Sequence, residues 1–110
     1  MDSGGTTQRV LRLVGLGVRS RGAVVGVEQV RDAAKKGKLA LAVVAADASK
    51  HSLDKVVPLL EARQVRIIEV ASAVELGQAV GRQQTAAIGI VDRQLARGIR
   101  ELMDTAPGGS

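Results

Sequence analysis

A chain of 110 residues, 45% apolar and 25% charged, is long enough for one buried core and too apolar to be an intrinsically disordered segment. Cysteine is absent, which excludes disulfides, thiolate metal sites and a cysteine nucleophile; Phe, Tyr and Trp are absent too, which excludes base stacking on aromatic side chains. Sixteen Lys and Arg against 11 Asp and Glu give a net charge of +5, and the predominance of Arg among the cations favours an anionic partner bound through two-pronged donors.

The ends, 1–6 and 104–110, are expected to be disordered tails around one domain, 7–103, because both are small and polar. A first helix is predicted over 7–19, where Val10, Leu11, Leu13, Val14 and Val18 form an apolar face with Arg9 and Arg12 outside it. After a turn through Ser20, Arg21 and Gly22, residues 23–25 make a very short strand. Gly26 opens a second helix over 27–36, with Val27, Val30 and Ala34 inward; Lys35 and Lys36 suit its negative end and Gly37 stops it. The run LALAVVAA over 39–46 reads as a strand buried on both faces. A third helix covers 50–63, and Pro58 either kinks it or restarts it.

The segment VRIIEV, 65–70, is the next strand. Ser72 and Glu75 are spaced as a capping box that launches a helix to about residue 80, stopped by Gly81. A polar loop, 82–85, precedes a buried strand over 86–91, and a last helix begins at Asp92 and runs to 103, with Leu95, Ile99 and Leu102 on one face. Strands and helices in this order imply an α/β fold with a sheet covered by helices on both sides.

Several motifs invite a chemical reading. Gly15-Leu16-Gly17 resembles the opening of a dinucleotide fingerprint, but Ser20 stands where the third glycine belongs and Lys35 where the acidic residue does, so it reads as a helix end. His51 is the lone histidine, without neighbours to complete a metal site, and belongs on a solvated helix start. Asp47 and Asp92 both follow buried strands; sharing a sheet edge would allow acid–base work, whereas the preference of Asp is to cap the next turn or helix, which is the favoured reading. No catalytic residue, metal ligand or cofactor is therefore expected.

The cluster Lys35, Lys36 and Lys38 fits either phosphate binding or a charge-matched helix end. More informative is a helix starting at Gly26, whose amides and dipole face an anion, with Glu28 and Gln29 in its first turn and Arg19 and Arg21 upstream.

These residues are also familiar as a set. Gly15-Leu16, then Gly26-Val27-Glu28-Gln29-Val30, Lys36-Gly37-Lys38 with Leu41, and Ala45-Ala46-Asp47 occur in order; Glu75-Leu76-Gly77 with Ala79-Val80-Gly81-Arg82 is similar to an E-L-G-x-A-x-G-K/R signature. The chain resembles the ribosomal protein L-seven-Ae family of kink-turn RNA binders, and Asp92 and Ala96 give it the flavour of the bacterial YlxQ-type branch.

That resemblance implies a three-layer α/β/α sandwich with a four-stranded mixed sheet. It implies a groove-entering element at Gly26, Val27, Glu28, Gln29 and Arg31, and a loop that closes on flipped-out bases at Arg82, Gln83, Gln84 and Thr85. Arg19, Arg21, Gly22, Lys36 and Lys38 complete the expected RNA-binding set. Kink-turn readers of the family carry Asn, Glu and a following Lys where Glu28, Gln29 and Asp32 stand here.

The expected function is a non-catalytic, monomeric, cytoplasmic RNA-binding protein, associated with the ribosome or translation. Its partners would be ribosomal or other structured RNA and ribosomal proteins, with no membrane. The rivals are a protein-interaction adaptor on the same fold with weak or lost RNA binding, and a small enzyme.

Overall fold

The computed structural model describes residues 3–105. The elements alternate as α1 (Ser3–Arg19), β1 (Ala23–Val25), α2 (Val27–Lys35), β2 (Leu41–Ala45), α3 (Lys50–Ala62), β3 (Ile67–Val70), α4 (Ala73–Ala79), β4 (Ala87–Ile90) and α5 (Arg93–Asp104). Each predicted strand and helix is present, with ends that move by a few residues. Pro58 neither breaks nor restarts α3, which runs through it as one helix.

The four strands form one mixed sheet in the order β1-β4-β2-β3. The last strand is central: β4 runs antiparallel to β1 on one side and to β2 on the other, with Ile88 opposite both Val25 and Val43. Only β2 and β3 are parallel neighbours, joined through α3. All of β2 and β4 is buried, which explains their unbroken apolar runs.

Alternation within those strands divides the core. Leu41, Val43, Ala45, Ile88 and Ile90 pack with Val10, Val14, Leu76 and Ile99 of α1, α4 and α5. Ala42, Val44 and Ala87 pack on the other face with Val30, Ala34, Val56 and Leu60 of α2 and α3. This is the α/β/α sandwich. With no aromatic side chain to fill space, close backbone approach does so: a Cβ on Gly15 would lie 2.6 Å from the Ala79 carbonyl oxygen, so Gly15 lets α1 settle on α4.

Four helices end in the same hydrogen-bond pattern, in which the chain turns back through a left-handed residue. In α2, Gly37 N–H donates to Ala34 O at 3.1 Å and Lys38 N–H to Ala33 O at 2.9 Å; in α4, Gly81 donates to Gln78 O and Arg82 to Gly77 O. Gly37 and Gly81 fill the left-handed position at no steric cost, with φ of 70° and 81°. In α1 and α3 the same position holds Arg21 (φ 64°) and Gln64 (φ 59°), which carry the strain of a Cβ there.

Two expectations about the ends need correction. Residues 3–6 are helical, the first turn of α1, despite two glycines: Gly5, Thr6 and Thr7 are half-buried, and packing outweighs poor helix propensity. At the other end α5 continues through Asp104, because Arg66 donates to that carboxylate at 2.8 Å and Thr105 N–H donates to Glu101 O. The remaining tail residues, 1–2 and 106–110, lie outside the described residues.

The hydrogen bond from Arg66 holds the Asp104 carboxyl below its ordinary value of 3.8. A carboxyl depressed by folding adds stability at neutral pH, and that contribution fades as the pH falls below the ordinary carboxylate range. Asp104→Asn should therefore lower the urea midpoint at pH 7, and the gap from wild type should close by about pH 2. Replacing Gln64 by Gly removes left-handed strain of about 1–2 kcal/mol against a glycine entropy cost of about 0.5–1 kcal/mol, so urea unfolding of Gln64→Gly should show a net gain of about 0.5–1 kcal/mol.

Candidate nucleic-acid interface

Because β1 and β2 both oppose β4, the carboxyl ends of β1, β2 and β3 meet the amino end of β4 at one edge of the sheet. The starts of α2, α3 and α4 and the loop 81–86 all lie there. In α/β sheets, this is the edge where ligands gather.

The loop is tied down from both directions. Arg82 N–H donates to Gly77 O at 2.8 Å and Thr85 N–H to Ala73 O at 3.0 Å, so both its ends are held to α4. Beyond it, Ala45 N–H donates to Ala86 O and Gly26 N–H to Ala87 O, each at 2.9 Å, which joins the loop's exit to β2 and to the start of α2. Gly77 has to be glycine: a Cβ there would lie 2.3 Å from Gln84 Cα. The E-L-G motif is thus the platform on which the loop rests.

Between these pieces lies a cavity of about 410 Å³. Its walls include Val27 of α2, Asp47, Ser49 and Ser52 around the start of α3, Val74 of α4, and Gln84 and Thr85 of the loop. Val74 is 45% exposed and offers an apolar contact. The hydroxyls of Ser49 and Ser52 are 3.0 Å apart, and Ser49 Oγ also accepts from Ser52 N–H, capping α3. Asp47 does no acid–base work with Asp92: it accepts from Ala73 N–H at 2.7 Å and fixes the start of α4, while Asp92, at the far edge, accepts from Gln94 and Leu95 N–H at the start of α5. Asp92 thus caps the helix that follows it, as expected, whereas Asp47 reaches across to α4 and leaves the next helix to Ser49.

The start of α2 differs from expectation in one respect. Gly26 does not offer its N–H to an anion, since that group is spent on Ala87 O. The first bond within α2 is Val30 N–H to Gly26 O, which leaves the amides of Val27, Glu28 and Gln29 as the donors at the helix's positive end. Gly26 itself, at φ 98° and ψ 157°, adopts a backbone that other residues avoid, and a Cβ there would meet nothing within 4 Å, so its glycine serves the turn rather than a close contact.

The remaining expected residues disperse. Glu28 and Gln29 are exposed on another flank of α2, beside a groove of about 510 Å³ that they share with Asp32, Lys38 and Val91. Arg31 Nη1 donates to Lys55 O, and Lys55 Nζ lies 3.8 Å from Glu28, so both are tied to α3. Lys36 pairs with Asp32 at 3.0 Å. Arg21, Gly22, Lys36 and Lys38 belong to the opposite edge of the sheet, because they flank the start of β1 and the end of α2. Gly22 is buried, accepts from Val91 and Asp92 N–H, and a Cβ there would press on Asp92 at 2.9 Å, so its role is structural. Arg19 borders a groove of about 350 Å³ between α1 and α4, with Arg12 and Glu75. His51 is exposed in the first turn of α3.

Residues 8–103 match the Ribosomal protein L7Ae/L30e/S12e/Gadd45 family. The chain belongs to that family. Its YlxQ-type character agrees with a relative, the RNA-binding protein YlxQ of Enterococcus faecium, which is 29% identical over 100 residues, 91% of this chain and 96% of that protein. Among solved structures, a protein of unknown function from Bacillus halodurans C superposes with a TM-score of 0.78 at 30% identity, over 86% of this chain and 96% of the other. The Giardia lamblia 15.5kD RNA binding protein shares the fold of this L7Ae-family chain, with a TM-score of 0.77 at 21% identity over 94% and 89% of the two chains.

The sequence reading missed Asp47, Ser49, Ser52 and Val74 as wall residues of the cavity. Their common signal was position: all follow strand ends that the sheet order brings to one edge. The described residues include no cluster of three His, Asp or Glu side chains placed to hold a metal ion, and no helix long and apolar enough to cross a membrane. Gly77→Ala should push the loop backbone off α4 and cost about 1–3 kcal/mol in urea unfolding, whereas Gly81→Ala, with open space around it, should cost only the left-handed strain of about 1–2 kcal/mol.

Proposed function

We propose that this protein is a non-catalytic RNA-binding protein that recognises structured RNA in ribosomal or translational complexes, at a junction where one base leaves the stack. The observation that carries this reading is the coupling of the α2 start to the loop 82–85 through the Gly26–Ala87 hydrogen bond and their shared 410 Å³ cavity. A base has an apolar face and a polar edge. Val27 and Val74 suit the face, and the side chains of Ser49, Ser52, Gln84 and Thr85 suit the edge. This arrangement needs no aromatic platform, which the composition lacks.

The amides of Val27, Glu28 and Gln29 hold a backbone phosphate at the positive end of α2, and Arg82 adds a guanidinium beside the loop. Glu28 and Gln29 reach base edges along the groove flank. The negative charges that set this helix apart from a kink-turn reader are partly neutralised within the protein, Asp32 by Lys36 and Glu28 by Lys55. Kinked RNA therefore remains the geometry that fits best. The family's RNA-binding relative in Enterococcus faecium supports the same ligand class. Partners would be RNA and adjoining ribosomal proteins, bound by a cytoplasmic monomer.

An adaptor reading fares less well. Among the described residues the large exposed apolar side chains are Leu16 on α1 and Val74 on α4, single residues rather than a broad patch.

Fluorescence titration should give a dissociation constant at least about tenfold lower for a kinked RNA than for a straight duplex, a difference of about 1.4 kcal/mol. Gln84→Ala, and separately Glu28→Ala with Gln29→Ala, should each remove most of that preference while leaving the melting temperature within a few degrees. Equal affinity for the two RNAs, unaffected by these changes, would refute the proposal.

A further inference from the structure

The opposite edge of the sheet carries two arginines of α5 that the proposed RNA site does not use, beside Lys38, which also borders the groove of Glu28 and Gln29. There the end of α2 and its connection to β2 lie against α5, enclosing a concavity of about 290 Å³ bordered by Gly37, Lys38, Leu39, Ala40, Arg93 and Arg100. Its walls are mostly polar, and three of its six residues are basic. Arg93 and Arg100 are seven residues apart on α5, two turns of one helix face, so they stand in line about 10.5 Å apart along its axis.

The acidic groups of α5 and its cap are committed elsewhere. Asp92 accepts from the amides of Gln94 and Leu95, Glu101 faces Arg97 at 3.8 Å, and Asp104 takes Arg66 at 2.8 Å. Arg100 touches this set only as a longer-range attraction on Asp104. Among the described residues, Lys38, Arg93 and Arg100 form no ion pair closer than 4.0 Å, whereas their neighbours Lys36 and Arg97 do.

The frame beneath them is rigid. Lys38 N–H donates to Ala33 O at 2.9 Å and Ala40 N–H to Ile90 O at 2.8 Å, pinning the connection to α2 and to β4; Arg93 begins a helix capped by Asp92. Three unpaired cations on a fixed concave frame form a site that gains from a chain of regularly spaced negative charges. Two of the three are guanidiniums, whose fork matches phosphate oxygens. A protein-docking site would instead show exposed large apolar anchors, and Leu39 and Ala40 are half-buried.

We infer that the groove of Lys38, Arg93 and Arg100 is a second, sequence-independent binding site for a nucleic-acid phosphodiester backbone, on the sheet edge opposite the base-recognising cavity, so that one molecule joins two RNA segments. The inference rests on the RNA reading for the class of ligand alone; it requires no preference for kinked RNA.

The test uses the full chain, a straight RNA duplex as probe, and titrations between about 50 and 200 mM salt. Removing one cation that neutralises a phosphate should make the slope of log affinity against log salt less negative by about 0.7–0.9. Arg93→Gln with Arg100→Gln should therefore shift the slope by about 1.4–1.8, an effect of roughly tenfold over that salt range. Arg93→Gln alone, at an exposed helix start, should shift it by half as much and serves if the double variant melts early. Two duplexes carrying donor and acceptor dyes should show energy transfer with wild-type protein, less of it with the single variant and none with the double variant. Slopes unchanged in both variants, or no transfer with wild type, would overturn the second site. Gln84→Ala separates the two proposals: it should remove most of the preference for kinked RNA and leave the straight-duplex slope as it was.

Discussion

The insertion of β4 between β1 and β2 is the constraint from which the rest of the architecture follows. A strand with neighbours on both sides has every ladder group paired, and here it is also buried on both faces. Its antiparallel sense brings its entry loop to the edge where β1 and β2 end. The same two hydrogen bonds that close the ladder, from Gly26 to Ala87 and from Ala45 to Ala86, thereby hold the loop beside the start of α2 and the turn before α3. Gly26 and Ala87, 61 positions apart in the chain, become neighbours through the backbone alone.

The lack of aromatics has consequences on both sides of the surface. Inside, Ala, Val, Leu and Ile leave little bulk to separate the elements, and glycines at the contacts set the spacing: Gly15 under Ala79, Gly17 under Leu95, Gly77 under Gln84. Outside, no aromatic stacking platform can form. The cavity at the sheet edge, with valines and short polar side chains, is what such a composition can build.

Charge is not concentrated where the sequence placed it. At the cavity edge the positive groups are the α2 amides and nearby Arg82, while the carboxylate of Asp47 accepts from the backbone of α4. The unpaired cations at the opposite edge come from α5 and from the connection after α2, segments more than fifty residues apart. Exposed ion pairs such as Lys36–Asp32 and Lys50–Asp54 add little stability, but they decide which cations stay available to a ligand.

The local pattern of residues determined the elements. Continuous apolar runs over 41–45 and 87–90, helical periods elsewhere, Ser72 before Glu75, and glycines at 37 and 81 act over a few residues, so they are readable in one dimension. The family motif around Glu75-Leu76-Gly77 was readable for the same reason, and its glycine proved to be where the loop rests. What only the tertiary structure decided was which ends meet. The strand order sends Asp47 and Asp92 to opposite edges, spends the Gly26 amide on Ala87, and recruits Ser49, Ser52 and Val74 into the cavity. The first turn of α1 likewise formed against its own propensity, through burial, and the Arg66–Asp104 pair holds the end of α5. Those outcomes depend on pairing between strands distant in the chain, and no short window of sequence contains both partners.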